Sequence, residues 1–160
     1  MTIKIGILSD THLHRVTDEI KVIYDRYLSD MDVILHAGDY VSYDVVAFLD
    51  SGNFHGVCGN MDPVEIKERL PWKKVVEVGS RRIGLIHGWG SPAGLEERIQ
   101  TEFQDVDIIV YGHSHKAVSR VREGVLLFNP GTAIGYTSSG ERTLGILELG
   151  ERLDSKIISL

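Results

Sequence analysis

The segment DIIVYGHSH, Asp107–His115, is an apolar run that ends in a glycine and two histidines spaced one residue apart. A short apolar run closed by a turn residue reads as a buried strand. Four earlier runs end the same way. Ile3–Leu8 runs into SDTH, Val33–His36 into AGD, Phe54–Cys58 into GN and Ile83–Ile86 into HG. With Ile108–Tyr111 these make five predicted strands, each handing a polar, metal-competent side chain to the loop at its carboxyl end.

Helical patterns separate most of these strands. Asp18–Leu28 carries an apolar stripe at Ile20, Ile23, Tyr24, Tyr27 and Leu28, and Tyr43–Leu49 is a shorter candidate. Pro63–Leu70 opens with a proline suited to a first turn, and Leu95–Phe103 has Leu95, Ile99 and Phe103 four apart. From Lys74 onward hairpins add to the pattern. KVVEVGSRRIGLI turns at Gly79-Ser80, Val118–Arg122 and Val125–Phe128 flank Glu123-Gly124, and Leu144–Leu149 pairs with Lys156–Leu160 across a polar stretch. The predicted fold is α/β, two sheets packed face to face with helices outside, in a single domain spanning residues 1–160.

Composition narrows the function. The 160 residues are 42% hydrophobic and 25% charged, as in soluble globular proteins, with a formal net charge of -6. No basic cluster exists beyond pairs such as Lys73-Lys74 and Arg81-Arg82, so a nucleic-acid partner gains no support. The single cysteine, Cys58, excludes an intrachain disulfide and fits a reducing, cytoplasmic setting. No segment has the length of a membrane span, and the opening MTIKIGIL is too short and too broken for a secretory signal. A homo-oligomer is compatible with this composition.

Ligands of α/β sheets collect outside the carboxyl ends of the strands. Gathered at one end of a sheet, the five predicted strands bring together Asp10, His12, Asp39, Asn60, His87, His113 and His115. Glycines flank four of these positions and suit loops that approach a common centre closely. If the backbone there is extended, Asp10 and His12, and likewise His113 and His115, point to one face. Alone, Asp39 or Asn60 reads as a turn residue and His87 as a packed imidazole. Five successive strand ends are not five independent turns. The donors are carboxylates, imidazoles and one amide, with no thiolate, which suits Mn, Fe, Co, Ni or Zn. Seven donors exceed one tetrahedral site and suit two ions sharing a carboxylate. Among the remaining histidines, His36 is expected to be packed inside its strand, behind the ligands, and His55 to be structural or exposed. His14 is a candidate substrate contact, since its loop can face the cleft.

D-x-H at Asp10–His12, GD at Gly38-Asp39, GN-x-D at Gly59–Asp62, HG at His87-Gly88 and GHSH at Gly112–His115 occur in order. Together they resemble the calcineurin-like metallophosphoesterases. The VGSRRIGLIHG stretch and NPGT at Asn129–Thr132 look like the compact bacterial and archaeal phosphodiesterase branch, which the small retromer subunit of eukaryotes also resembles. The resemblance implies a four-layer αββα sandwich of two mixed β-sheets with a dinuclear centre, manganese foremost. It implies one ion on Asp10, His12 and His115, a second on Asn60, His87 and His113, and Asp39 between them. It further implies hydrolysis of a small phosphodiester by a hydroxide bridging two divalent ions, with Asn60 contacting the phosphate. Larger members carry a histidine, thought to protonate the leaving group, where this chain has Met61, and many carry another where it has Trp89. Asp62 keeps the acid after that position, for proton transfer or for orienting the site. Trp89 is a candidate wall of the substrate cleft. The competing expectations are a metal-binding scaffold for protein–protein assembly, which can lose its ligands at no cost, and a nuclease.

Overall fold

The computed structural model describes residues 1–160. Ten strands form two mixed sheets of five. The first has the order β10 (Leu153–Ser159), β9 (Thr143–Leu149), β1 (Ile3–Leu8), β2 (Val33–His36), β3 (Phe54–Gly56), and the three N-terminal strands are parallel. The second has the order β4 (Lys73–Val78), β5 (Arg81–Ile86), β6 (Ile108–Val110), β8 (Val125–Asn129), β7 (Val118–Arg122), with β5, β6 and β8 parallel.

Alternation along each strand explains the layers. Ile5, Ile7, Val33 and Leu35 from one sheet meet Ile83, Leu85, Ile108, Val110 and Phe128 from the other in a core between the sheets. The intervening Leu8 and Ile34 face outward onto α1 (Asp18–Ile23), α2 (Tyr43–Leu49) and α3 (Val64–Arg69). Ile86, Ile109 and Leu127 face outward onto α4 (Leu95–Gln100). These strands are buried on both faces, which is why they read as unbroken apolar runs. The result is the expected four-layer αββα sandwich.

The local differences have physical causes. The predicted helix 18–28 is α-helical only to Ile23. It continues as a π-helical stretch, Tyr24–Leu28, closed by the Ser29 amide donating to the Tyr24 carbonyl at 2.9 Å. Thr17 caps its start by accepting from the Ile20 amide. Pro63 caps α3 from outside it. The strand predicted over 54–58 stops at Gly56 because Cys58 donates instead to the Pro71 carbonyl at 2.9 Å. The final hairpin turns tightly at Gly150, so β10 begins at Leu153 rather than at Lys156.

The larger correction concerns the donor-bearing strands. They do not share one sheet: β1, β2 and β3 lie in the first, β5 and β6 in the second. The parallel triads of the two sheets nonetheless meet at their carboxyl ends. There the His113 amide donates to Asp10 Oδ2 at 3.0 Å, and His87 Nδ1 reaches the Ala37 carbonyl at 2.8 Å.

Candidate metal centre

Asp10 and His12 follow β1, Asp39 follows β2, His87 follows β5, and His113 and His115 follow β6. Their backbone is not extended. Asp10, His12, Asp39, His113 and His115 all have positive φ, between 45° and 73°. Left-handed backbone costs an L-residue about 1–2 kcal/mol, least for Asp, Asn and His. Residue type is therefore chosen twice, for donor chemistry and for tolerance of this turn. The same-face expectation for D-x-H and H-x-H had the wrong local geometry, and the side chains converge because each loop coils rather than extends.

The close approach the glycines allow is literal. A Cβ on Gly59 would lie 2.1 Å from Asp39 Oδ1, and one on Gly112 would lie 2.0 Å from Ser9 Oγ and 2.6 Å from Asp10 Oδ2. At these two positions only glycine leaves the carboxylates where they are.

Two groups of donors come together. Asp10, His12 and His115 form one, and Asp10, Asp39 and His87 the other. His115 Nε2 lies 3.2 Å from Asp10 Oδ1, and His87 Nε2 lies 3.1 Å from Asp39 Oδ2 and 3.8 Å from Asp10 Oδ1. His12 Nε2 lies 3.7 Å from Asp10 Oδ1 and 3.6 Å from Asp39 Oδ2. Asp10 and Asp39 are essentially buried.

Backbone carbonyls set the imidazole tautomers. His87 Nδ1–H donates to Ala37, His115 Nδ1–H to Tyr136 and His113 Nε2–H to Gly90. In neutral rings this leaves the Nε2 lone pairs of His87 and His115 within 3.2 Å of carboxylate oxygens. Lone pairs do not face each other in a buried site without a positive charge between them. Asp10 Oδ1, His12 Nε2 and His87 Nε2 indeed have no hydrogen-bond partner. Without an ion, His87 and His115 hold a proton more tightly instead. The Asp10 carboxylate 3.2 Å away raises the pKa of His115 to about 9. Burial lowers that of His87, but Asp39 and Asp10 outweigh it and raise it. Burial likewise acts to raise Asp10, yet His115, His12, His87 and Ser9 hold it well below the usual carboxylate range. Asp39 is lowered against its burial by His87 and by the Met61 amide. Divalent cations fit this donor set, because one in each group would supply the missing charge to the orphaned atoms there.

The other candidates lie around this centre. The His113 ring packs edge-on to His87 at 5.3 Å, its Nδ1 lone pair left free by the Gly90 contact, but it belongs to neither group of converging donors. Asn60 is exposed beside His87, and its side-chain amide makes no protein hydrogen bond. Asp62 is 4% exposed and committed to the backbone: Oδ2 accepts from the Asp39 and Gly59 amides at 2.9 and 2.8 Å, and Oδ1 from Val41 at 2.8 Å. Burial pushes its pKa up against those three donors. His14 is exposed in the loop after β1 and makes no hydrogen bond. Trp89 is 40% exposed and walls a cleft of about 750 Å³ that also touches His87 and Asn60.

His36 lies behind the centre. It stacks on Tyr40 at 3.8 Å, its Nδ1 accepts from the Gly38 amide and Nε2–H donates to Thr11. Burial lowers its pKa to about 3, so it stays neutral. His55 is half-buried between Asn53 and Lys74, away from the centre.

Four positioning side chains were given no role from sequence, although Asn129 and Thr132 delimit the NPGT motif. Ser9 Oγ donates to Asp10 Oδ2 at 2.6 Å, and Thr132 Oγ1 donates to the Asp10 carbonyl at 2.8 Å. Asn129 Nδ2 holds the Gly112 carbonyl and Ser114 Oγ, both at 3.1 Å. Arg98 holds the carbonyls of Trp89, Ser91 and Ala93, in the loop whose Gly90 orients His113. Applying the strand-end logic to β8 as well would have given Asn129 and Thr132 a place beside the centre.

The chain is similar to proteins described as phosphoesterases and to a vacuolar protein sorting protein. Residues 3–152 match the model of the calcineurin-like phosphoesterase superfamily domain. A probable metallophosphoesterase of Methanothermobacter thermautotrophicus is 32% identical over 158 residues, covering 96% of this chain and 91% of that one. The structure of an archaeal phosphodiesterase superposes with a TM-score of 0.77 at 29% identity, covering 99% of this chain and 100% of that one. Vacuolar protein sorting 29 of Cryptosporidium parvum superposes with a TM-score of 0.75 at 22% identity over 99% and 98%, a likeness of fold alone. With its donors in sequence order and its domain matched almost end to end, this chain belongs to the calcineurin-like phosphoesterase superfamily.

Proposed function

We propose that the protein is a metal-dependent phosphodiesterase with two divalent transition-metal ions, manganese foremost among Mn, Fe, Co, Ni and Zn. The observation that carries this is the set of buried, partnerless atoms, Asp10 Oδ1, His12 Nε2 and His87 Nε2, converging from both sheets. Asp10, His12 and His115 hold one ion, His87, His113 and Asn60 the other, and Asp39 lies between. Such ions lower the pKa of water and neutralise charge on phosphoryl oxygens. The chain's own residues do the rest. The carbonyls of Ala37, Gly90 and Tyr136 fix which imidazole nitrogen faces inward. Asn60, with no protein partner for its amide, is free to donate to a phosphoryl oxygen. Asp62, saturated by three amides, positions Asp39 and the Asn60 loop and does not shuttle protons.

Met61 is 60% exposed at the position of the absent histidine and has no proton to give. Esters whose leaving group departs without protonation therefore react best, and diesters outrun monoesters. The intact donor set favours catalysis over a scaffold role. The test is metal analysis of the purified protein followed by diester hydrolysis with each ion restored, with single-stranded DNA alongside. Asp39→Ala and His113→Ala abolish turnover under this reading, and retained activity in either overturns it. Faster cleavage of DNA than of a small aryl diester makes it a nuclease instead.

A further inference from the structure

The cleft beside the metal centre contains both tryptophans of the chain, Trp72 and Trp89. Trp72 is 53% exposed and Trp89 40%, and their rings meet edge to face at 6.4 Å. Exposing two indoles is costly unless something covers them, since each buries some 150–250 Å² when packed. Leu70 and Ile86 extend the apolar wall, and the cleft ends at His87 and Asn60. The volume, about 750 Å³, lies within the usual range of small-molecule sites, roughly 300–1,000 Å³.

Charge in the cleft is one-sided. Two charged side chains line it, Lys67 and Glu102. Glu102 is neutralised by Lys73 at 3.0 Å, and Lys73 Nζ also lies 5.0 Å from the Trp72 ring centroid. Lys67 has no carboxylate within ion-pair distance, and its Nζ reaches only the Asn60 carbonyl at 3.4 Å. The cleft thus offers flat apolar walls and one uncompensated cation beside the residue assigned to the phosphate.

We propose that this cleft is a subsite for a planar aromatic group joined to the phosphate, with the aromatic ring against Trp72 and Trp89 and the anion next to Lys67. This rests on the phosphodiesterase reading and specifies its substrate class: a diester carrying an aryl group or a nucleobase rather than an alkyl or polyol diester. An aliphatic headgroup leaves both indoles uncovered.

Because the chain has no other tryptophan, emission excited at 295 nm reports on this cleft alone. The metal-free protein is titrated with phenylphosphonate, with adenosine 5′-monophosphate, with glycerol phosphate and with inorganic phosphate. Saturable change with one or both aromatic ligands and none with the other two is expected, and which aromatic ligand binds tighter separates an aryl from a nucleoside source. Trp89→Ala and Lys67→Gln each weaken the tighter ligand about tenfold, the scale of one stacking contact or one charge-assisted bond. Trp72→Phe keeps Trp89 as reporter, and its emission still responds. The proposal is overturned if glycerol phosphate binds as tightly as the aromatic ligands, or if neither aromatic ligand alters emission. Binding with no diester hydrolysis under any metal sinks the proposed activity and leaves the subsite standing. Hydrolysis without aromatic binding does the reverse.

Discussion

Replacing Asp62 by asparagine keeps the shape of the side chain and removes one acceptor. In the native protein the carboxylate accepts from three amides, those of Asp39, Gly59 and Val41. Two of those residues, Asp39 and Val41, have positive φ, at 62° and 77°. For a β-branched residue such as Val41 this backbone is an outlier that its surroundings must enforce. The asparagine oxygen can serve Asp39 and Gly59, but its NH₂ then faces the Val41 amide, donor against donor. Losing a hydrogen bond to a charged acceptor costs about 1.5–3 kcal/mol, partly offset by relief of the buried charge, which leaves a net of about 2 kcal/mol. For a domain of this size that lowers Tm by about 4–8 °C. Differential scanning calorimetry of the metal-free proteins measures it. Val41→Gly relieves the strain that Asp62 enforces, so the double variant loses less than the sum of the two single changes. A Tm for Asp62→Asn within 1 °C of wild type, or strict additivity with Val41→Gly, would refute the positioning role.

The neutral, buried His36 has a folded pKa of about 3, below the unfolded value of 6.5. The unfolded chain therefore binds the extra proton, and this group's contribution is full above pH 6.5 and lost at up to about 1.4 kcal/mol per unit as pH falls toward 3. Urea unfolding of His36→Asn should show lower stability at pH 7.5 but a shallower decline from pH 6.5 to 4, and an unchanged slope contradicts the assignment. Gly112→Ala places a methyl 2.6 Å from Asp10 Oδ2, so it should destabilise by about 1–3 kcal/mol and weaken metal binding at least tenfold, read by calorimetric titration. Divalent ion at 1,000 times its Kd should add about 4 kcal/mol of stability, reversed by chelator. A Tm indifferent to Mn, Zn and Ni speaks against the centre.

How much the sequence revealed depended on which physics was local. The apolar runs at Ile3–Leu8, Val33–His36 and Ile108–Val110 declared their strands because both faces are buried, and no amphipathic ambiguity arose. Gly79-Ser80 and Glu123-Gly124 fixed their hairpins because turn chemistry resides in two residues. Which sheet each strand joins was not legible: β5 and β1 end alike, in a polar residue after an apolar run. Asp10, His12, Asp39, His87 and His115 were found from strand ends and do converge. Their positive φ was hidden, since glycine rather than aspartate or histidine advertises that backbone. The roles of Ser9 and Arg98 depend on partners that only the packed structure brings near. Trp72 escaped notice for the same reason, since its neighbour Trp89 is seventeen positions away.

The crossing of the donor set between sheets bears on how the chain matures during synthesis. Asp10 emerges first and is sealed by the amide of His113 and by Thr132, both more than a hundred residues later. The strand before it, β1, gains its second neighbour only when β9 arrives at Thr143. Until then β1 has an open edge beside Asp10, and neither half of the chain holds all the donors that converge in the finished fold. Under the proposed metal-dependent reading, cation capture would follow the meeting of the two sheets, and a released chain missing its last two strands would leave Asp10 beside an open sheet edge.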